Sequence, residues 1–377
     1  MTFQKIRQRD FPALKTLTYL NTAGEGICPP CVKEALKEYL INKQSKIDLG
    51  EERAEYVEEC RRTVAKFIRR RPSEVSFCSS VSEAYNLFAT ALRLTPNDEV
   101  VINDLDFPSG VTPWLLQRPL PGIRLWKSQN GGLELENLAP LLHERTRLVQ
   151  TSIISFSNGY RIDWKPFYAL VREKAPKAII SVDASQALGH CKLDYHDADF
   201  IVSCAHKWLL GIHGCCLVGI SQAREKELTT HAGGWHHLIN MFAKDIFQHP
   251  LLKQGVLSYS IGNPIYASIH ALNHSLRYLN KIGIARIAEY SDTLLSPLYE
   301  GLVDLGLKPL APLQPSSSAG IIAFEHPKSA VIHTKLKRKK ILVACHGNRI
   351  RISFHLYNSM EDIQNLFKNL YEILLDI

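Results

Sequence analysis

The segment Ser203-Cys204-Ala205-His206-Lys207-Trp208 sets a lysine just past an apolar run, after a histidine and before the glycine turn Gly211-Ile212-His213-Gly214. A free amine so placed can attack an aldehyde to form a Schiff base. Upstream by 24 residues, Ser181-Val182-Asp183-Ala184-Ser185-Gln186 sets a carboxylate at the end of another apolar run. An ionised carboxylate so placed needs a partner, and a protonated heteroaromatic nitrogen is a fitting one. Ser79-Ser80-Val81-Ser82-Glu83-Ala84 brings hydroxyls and backbone N–H groups to a helix start, which can seat a phosphate. Asp104-Leu105-Asp106-Phe107-Pro108-Ser109 offers an aromatic ring. Singly, these groups have plain structural uses as a surface lysine, a turn acid, a helix cap and a core ring.

Their shared placement makes the set specific. Apolar runs predict strands over 74–79, 99–103, 147–155, 178–182, 199–203 and 215–220, with helices over 82–94 and 164–174 between them. Strands alternating with helices imply a mostly parallel sheet, whose ligands collect at the carboxyl ends of the strands. Each chemical segment above follows such a strand. After about residue 260 the pattern changes to long helices, 264–279 and 284–302, then a smaller α+β unit with strands near 321–324 and 351–355 and a last helix over 360–375. The expected division is a large unit over 15–265, a connecting helix over 266–279, and a small unit formed by 1–14 and 280–377. A short Pro/Ser stretch spans 312–318.

Composition narrows the class. The 377 residues are 45% hydrophobic and 22% charged, which excludes disorder and rod-like coiled coils. No apolar run is long enough to span a membrane, and the polar start MTFQKIRQRDF is not a secretory signal. Nine cysteines, several inside apolar runs, fit buried reduced thiols and a cytoplasmic protein. The net charge of +8 is mild, and the basic run Lys335 to Lys340 reads as a solvated helix end, so no nucleic-acid partner is expected.

A phosphate seat, a ring to stack on, an acid for a ring nitrogen and a lysine for an aldehyde are the groups that pyridoxal phosphate needs. On SVDASQALGH, HKWLLGIHG and Tyr19-Leu20-Asn21-Thr22-Ala23, the sequence resembles the class V aminotransferase family of fold type I pyridoxal-phosphate enzymes. That family includes cysteine desulfurases, kynureninases and isopenicillin N epimerase-like proteins. The resemblance implies an α/β fold with helices on both faces of a mostly parallel sheet, plus a smaller C-terminal α+β domain. It implies that Lys207 carries the cofactor and moves the proton at the substrate α-carbon. Asp183 would pair with the ring nitrogen and Gln186 would reach the phenolic oxygen. Val81 and Ser82 would hold the phosphate, helped by His206. Phe107 would stack on the ring, its Phe-Pro-Ser context resembling kynureninases. Trp235, after Gly234, would contact the cofactor. Asn263, in Gly262-Asn263-Pro264, would reach a neighbouring subunit's site in a homodimer. Arg351 would clamp the carboxylate of an amino-acid substrate, since a guanidinium binds both oxygens at once.

The sequence departs from the family in places. Desulfurases carry a catalytic cysteine on a loop before the substrate arginine, whereas Val343-Ala344-Cys345-His346-Gly347-Asn348-Arg349-Ile350-Arg351 leaves almost no loop. Phe156 stands where desulfurases place an asparagine, and Cys204 where many relatives have serine. Neither Cys28/Cys31 nor His236/His237 has the companions of a metal site, and none is expected. The leading expectation is an aminotransferase-like reaction. β-Elimination with C–S cleavage, kynureninase-like hydrolysis, epimerisation, and a degenerate scaffold that has lost catalysis all stay open.

Overall fold

The computed structural model describes residues 1–45, 50–313 and 319–377, so the Pro/Ser stretch 312–318 falls mostly outside the described residues. The chain opens with α1 (Phe3–Asp10), β1 (Thr18–Tyr19), α2 (Pro30–Ser45) and α3 (Gly50–Phe67). The central elements follow as β2 (Val75–Cys78), α4 (Val81–Leu92), β3 (Glu99–Asn103), α5 (Pro108–Leu116), β4 (Gly122–Trp126), α6 (Leu135–Leu138), β5 (Thr146–Ser152), α7 (Trp164–Lys174), β6 (Ile179–Asp183), β7 (Phe200–Cys204) and β8 (Cys216–Ile220). The last third comprises α8 (Tyr266–Ile282), α9 (Ile284–Asp304), β9 (Ile321–Glu325), α10 (Ser329–Arg338), β10 (Ile341–Leu342), β11 (Ala344–His346), β12 (Arg349–Ser353) and α11 (Met360–Leu375).

Seven strands form the central sheet in the order β2-β8-β7-β6-β5-β3-β4. The pairs from β4 through β7 are parallel, and β8 is antiparallel to both β7 and β2. Strand β2 therefore runs in the same sense as β7, and its carboxyl end shares one edge with those of β3, β5, β6 and β7. Alternation along the strands feeds two apolar cores. Val100, Leu148, Ile179 and Phe200 enter one, while Val101, Val149, Ile180 and Ile201 enter the other. The expected α/β architecture with a smaller α+β unit is the one observed.

Strand β4 is not visible in the sequence pattern, because it lies at the sheet edge and carries Arg124 in its middle. The strand expected over 351–355 starts two residues earlier, at Arg349, where pairing with β9 begins. A separate three-stranded sheet, β11-β12-β9, packs with α9, α10 and α11 around Phe324, Ile350 and Leu366. The N-terminal segment ties the two units: β1 pairs with β10, while Ile6, Phe11 and Leu14 join the large core. Among the described residues no helix is long and apolar enough to cross a membrane.

Candidate active site

A cavity of about 560 Å³ opens at the carboxyl edge of the central sheet. Val81, Ser82, Phe107, Asp183, Gln186, His206, Lys207 and Arg351 all line it. The fold thus gathers these eight expected positions from four strand ends and one strand of the small unit.

The phosphate end is the start of α4. Ser80 caps the helix by accepting the Glu83 N–H at 3.1 Å, and the Glu83 carboxylate turns back to the Ser79 N–H at 2.6 Å. The N–H groups of Val81 and Ser82 lie in the first turn, where the helix itself supplies no acceptor. The Ser82 and Ser109 hydroxyls stand 3.0 Å apart at the same mouth.

Asp183 ends β6, buried, with its Oδ1 accepting the Ser185 N–H at 2.8 Å. Burial pushes its pKa up, the Ser185 bonds offset part of that, and the Lys207 charge pulls the same way as those bonds. Gln186 is held at both ends: its Nε2 donates to the Ala23 carbonyl at 3.1 Å and its Oε1 accepts from Trp208 Nε1 at 2.7 Å. The second Nε2 hydrogen remains available to an acceptor in the cavity.

Lys207 follows β7, its Nζ 5.3 Å from the centre of the Phe107 ring. Phe107 meets Phe156 edge-on at 4.9 Å. His206 stacks on His213 at 3.9 Å. Burial, then the nearness of His213 and Lys207, lowers the His206 pKa to about 4, so near neutral pH it offers a hydrogen bond and no charge. Two thiols also line the cavity, and burial raises both, Cys215 to about 12.

Arg351 is 4% exposed, on β12. Its Nη1 donates to the Phe156 carbonyl at 2.9 Å, while its Nε is buried with no partner. Burial and the neighbouring Arg349 lower its pKa to about 10. Among the described residues no carboxylate forms an ion pair with it. A buried guanidinium without a counter-charge is costly, and an incoming carboxylate relieves that cost.

Two expected positions fall elsewhere. Trp235 is 47% exposed and does not line the cavity, because the 3-10 turn Trp235–His237 carries it outward. Asn263 is exposed ahead of α8 and likewise lies outside this chain's cavity. Conversely, Ser109, Ser152, Phe156, His213 and His346 line the cavity without having been singled out as site residues. Ser109 closes the segment already read after β3, whereas Ser152 was hidden inside the strand expected over 147–155, which in the structure ends at Ser152. His346 is recruited by the register of β11 and β12, which no local motif reveals.

Cys345 pairs with Ile350, whose side chain enters the small unit's core, whereas Ala344 pairs with Arg351. Alternation therefore turns Cys345 to the strand face opposite Arg351, and it does not line the cavity.

The cavity suits pyridoxal phosphate on its own chemistry. First-turn N–H groups and hydroxyls receive a dianion, a buried carboxylate lacking an arginine partner receives a cationic ring nitrogen, and an amine stands over an aromatic face.

Comparison with known proteins agrees with this fit. The family model "Aminotransferase class-V" matches residues 18–366. The chain is 26% identical to "Uncharacterized aminotransferase YcbU" of Bacillus subtilis, covering 94% of each protein. It is 24% identical to a "Probable cysteine desulfurase" of Pyrococcus abyssi, covering 97% of this chain and 96% of the relative. Among solved structures, the apo cysteine desulfurase of Thermococcus onnurineus superposes with a TM-score of 0.89 at 22% identity, covering 99% of this chain and 98% of that one. The protein C-DES with glycine covalently linked to its PLP cofactor gives 0.87 at 19% identity, covering 97% and 99%. The cystine C–S lyase C-DES with its product cysteine persulfide gives 0.84 at 20% identity, covering 96% and 99%.

Proposed function

The chain belongs to the class-V aminotransferase family and is a pyridoxal-phosphate-dependent enzyme, and from that premise we propose that it cleaves the C–S bond of a sulfur-bearing α-amino acid by β-elimination. The observation that carries the substrate class is Arg351, a buried guanidinium without a counter-charge in the same cavity as Lys207. The relatives named cysteine desulfurase and C–S lyase support the sulfur leaving group.

Bound pyridoxal phosphate supplies the electron sink that makes the substrate α-proton acidic. The residues of this chain do the rest. Val81, Ser82 and Ser109 would hold the phosphate, and Asp183 would keep the ring nitrogen protonated. Phe107 would cover the ring, Gln186 would meet its phenolic oxygen, and His206 would add a neutral hydrogen bond. Arg351 grips the substrate carboxylate, which orients the α-proton toward Lys207. The Lys207 Nζ would anchor the cofactor, and its free amine would accept that proton. With cysteine the balance is cysteine plus water to pyruvate, ammonia and hydrogen sulfide. Burial keeps the two cavity thiols protonated, and Cys345 faces away, so the sulfur leaves in a small product and not on a cysteine of this chain. Under the same reading Asn263 reaches the site of a second subunit in a homodimer.

Transamination is the second reading, favoured by the Bacillus relative named an aminotransferase. One experiment separates the two. The holoenzyme is given cysteine and cystine, and pyruvate, sulfide and sulfur-bearing keto acid are measured, in the wild type and in Cys345→Ser. Elimination predicts, with both proteins, pyruvate and sulfide from cysteine and pyruvate and cysteine persulfide from cystine. A keto acid that retains its sulfur establishes transamination. Loss of sulfide release in Cys345→Ser overturns the direct-release mechanism.

A further inference from the structure

On the far side of the connecting helix, α8 packs against α2 and α3. We infer that His270, His274 and Glu38 form a binding site for a divalent cation of the zinc class, separate from the cofactor cavity.

His270 and His274 are four residues apart on α8, which places them on one helix face. Their rings meet at 4.7 Å, nearly perpendicular. His270 is 3% exposed, yet neither of its ring nitrogens has a hydrogen-bond partner. A buried imidazole normally finds one, because leaving it unpaired is costly. The Tyr56 ring of α3 lies 4.1 Å from the His270 ring and fixes its plane. Glu38 on α2 brings Oε2 to 3.6 Å from His270 Nε2, too long for a good hydrogen bond. The ligating atoms of the three residues all lie within 4.8 Å of one another.

A cation uses these groups as they stand. A neutral imidazole offers one ring-nitrogen lone pair to a metal. Two imidazoles and one carboxylate make the donor set of zinc and its neighbours, whereas magnesium and calcium prefer oxygen alone. Tetrahedral bonds of about 2.0–2.1 Å draw the ligand atoms in to roughly 3.3 Å from one another, a shift that side-chain rotation can supply. Glu38 is exposed, so the ion enters from solvent and water completes the shell. None of the three lines the cofactor cavity. Bound metal would tie α2 to the helix that joins the two units.

The test uses the full chain loaded with cofactor, stripped with a chelator and titrated calorimetrically with zinc chloride. The expected result is one equivalent bound with micromolar or tighter affinity, a zinc-dependent rise in Tm, and no response to magnesium chloride. His274→Gln and Glu38→Gln should weaken zinc binding by more than the roughly 10–100-fold that loss of an outer-shell partner costs. Glu38 is at the surface, so Glu38→Gln keeps the fold and the cofactor absorbance, and its loss of zinc affinity reports the ligand alone. Absence of zinc binding by the wild type overturns the site. So does zinc binding of wild-type affinity and stoichiometry in both variants.

Discussion

The two ends of the central strands treat acids in opposite ways. At the amino ends, Glu74, Glu99 and Asp199 each meet arginines. Glu99 is the fullest case, buried between Arg124 at 2.7 Å, His143 at 2.7 Å and Arg145 at 2.8 Å. The Arg124 bond leads the effects that hold its carboxyl at about 2. At the carboxyl ends, Asp106 and Asp183 lie buried with no arginine among the described residues, and both are pushed up, Asp106 to about 7. The same residue type at the same burial is neutralised at one edge and left short of positive charge at the other. The paired edge holds the sheet together. The unpaired edge keeps its interactions for a ligand, at a cost in stability.

Arg351 mirrors the unpaired acids with the opposite sign, and removing it breaks the comparison most visibly. Arg351→Ala should lower kcat/KM for an α-amino acid by about 10²–10³-fold, with thermal stability unchanged or raised, because it deletes an uncompensated buried charge. Arg351→Lys should recover only part of that loss, since an ammonium cannot bind both carboxylate oxygens in one plane. Steady-state kinetics beside a melting curve check both halves.

The paired edge predicts the reverse pattern. Glu99→Gln should cost about 2–3 kcal/mol of stability at neutral pH and leave kcat/KM unchanged. Its carboxyl is lower in the folded chain than in the unfolded one, so its contribution is present above about pH 4 and is lost as pH falls toward 2. The difference between Glu99→Gln and wild type should therefore close in acid, as denaturant titrations at several pH values would show.

Asp106 gives the smallest and most specific effect. Its Oδ1 accepts the Ser152 N–H at 2.6 Å, and its Oδ2 is buried without a partner. Its folded-state pKa is raised, so the stability linked to it is complete below about pH 4 and is lost as pH rises through 7. Asp106→Asn should flatten that decline while wild type keeps it. Equal slopes from pH 5 to 8 would show that Asp106 is not held uncharged.

Much of the fold and most of the cavity lining at the strand ends were legible in the sequence, for a physical reason. Each of those residues sits within a few residues of a strand end, so a local motif carries both the side chain and its placement. Helix α7 shows its full 164–174 extent as an apolar stripe, and β3 its full 99–103 extent as a buried run. The small-unit wall of the cavity was readable only through Arg351, because His346 reaches it by the pairing of β11 with β12. Trp235 was misplaced because a Gly-Trp pair does not tell which way a loop turns. The proposed cation site has no sequence signature because Glu38 comes from a different helix, and only the spacing of His270 and His274 shows in the sequence.

The account rests on Lys207 as the residue that carries the cofactor at the unpaired edge. The most direct measurement is borohydride reduction of the purified, cofactor-loaded protein, followed by peptide mapping. A single phosphopyridoxyl group on Lys207, with the visible absorption band lost in Lys207→Ala, is the predicted result. A label on another lysine, or a protein that remains colourless and unlabelled after addition of pyridoxal phosphate, would contradict it.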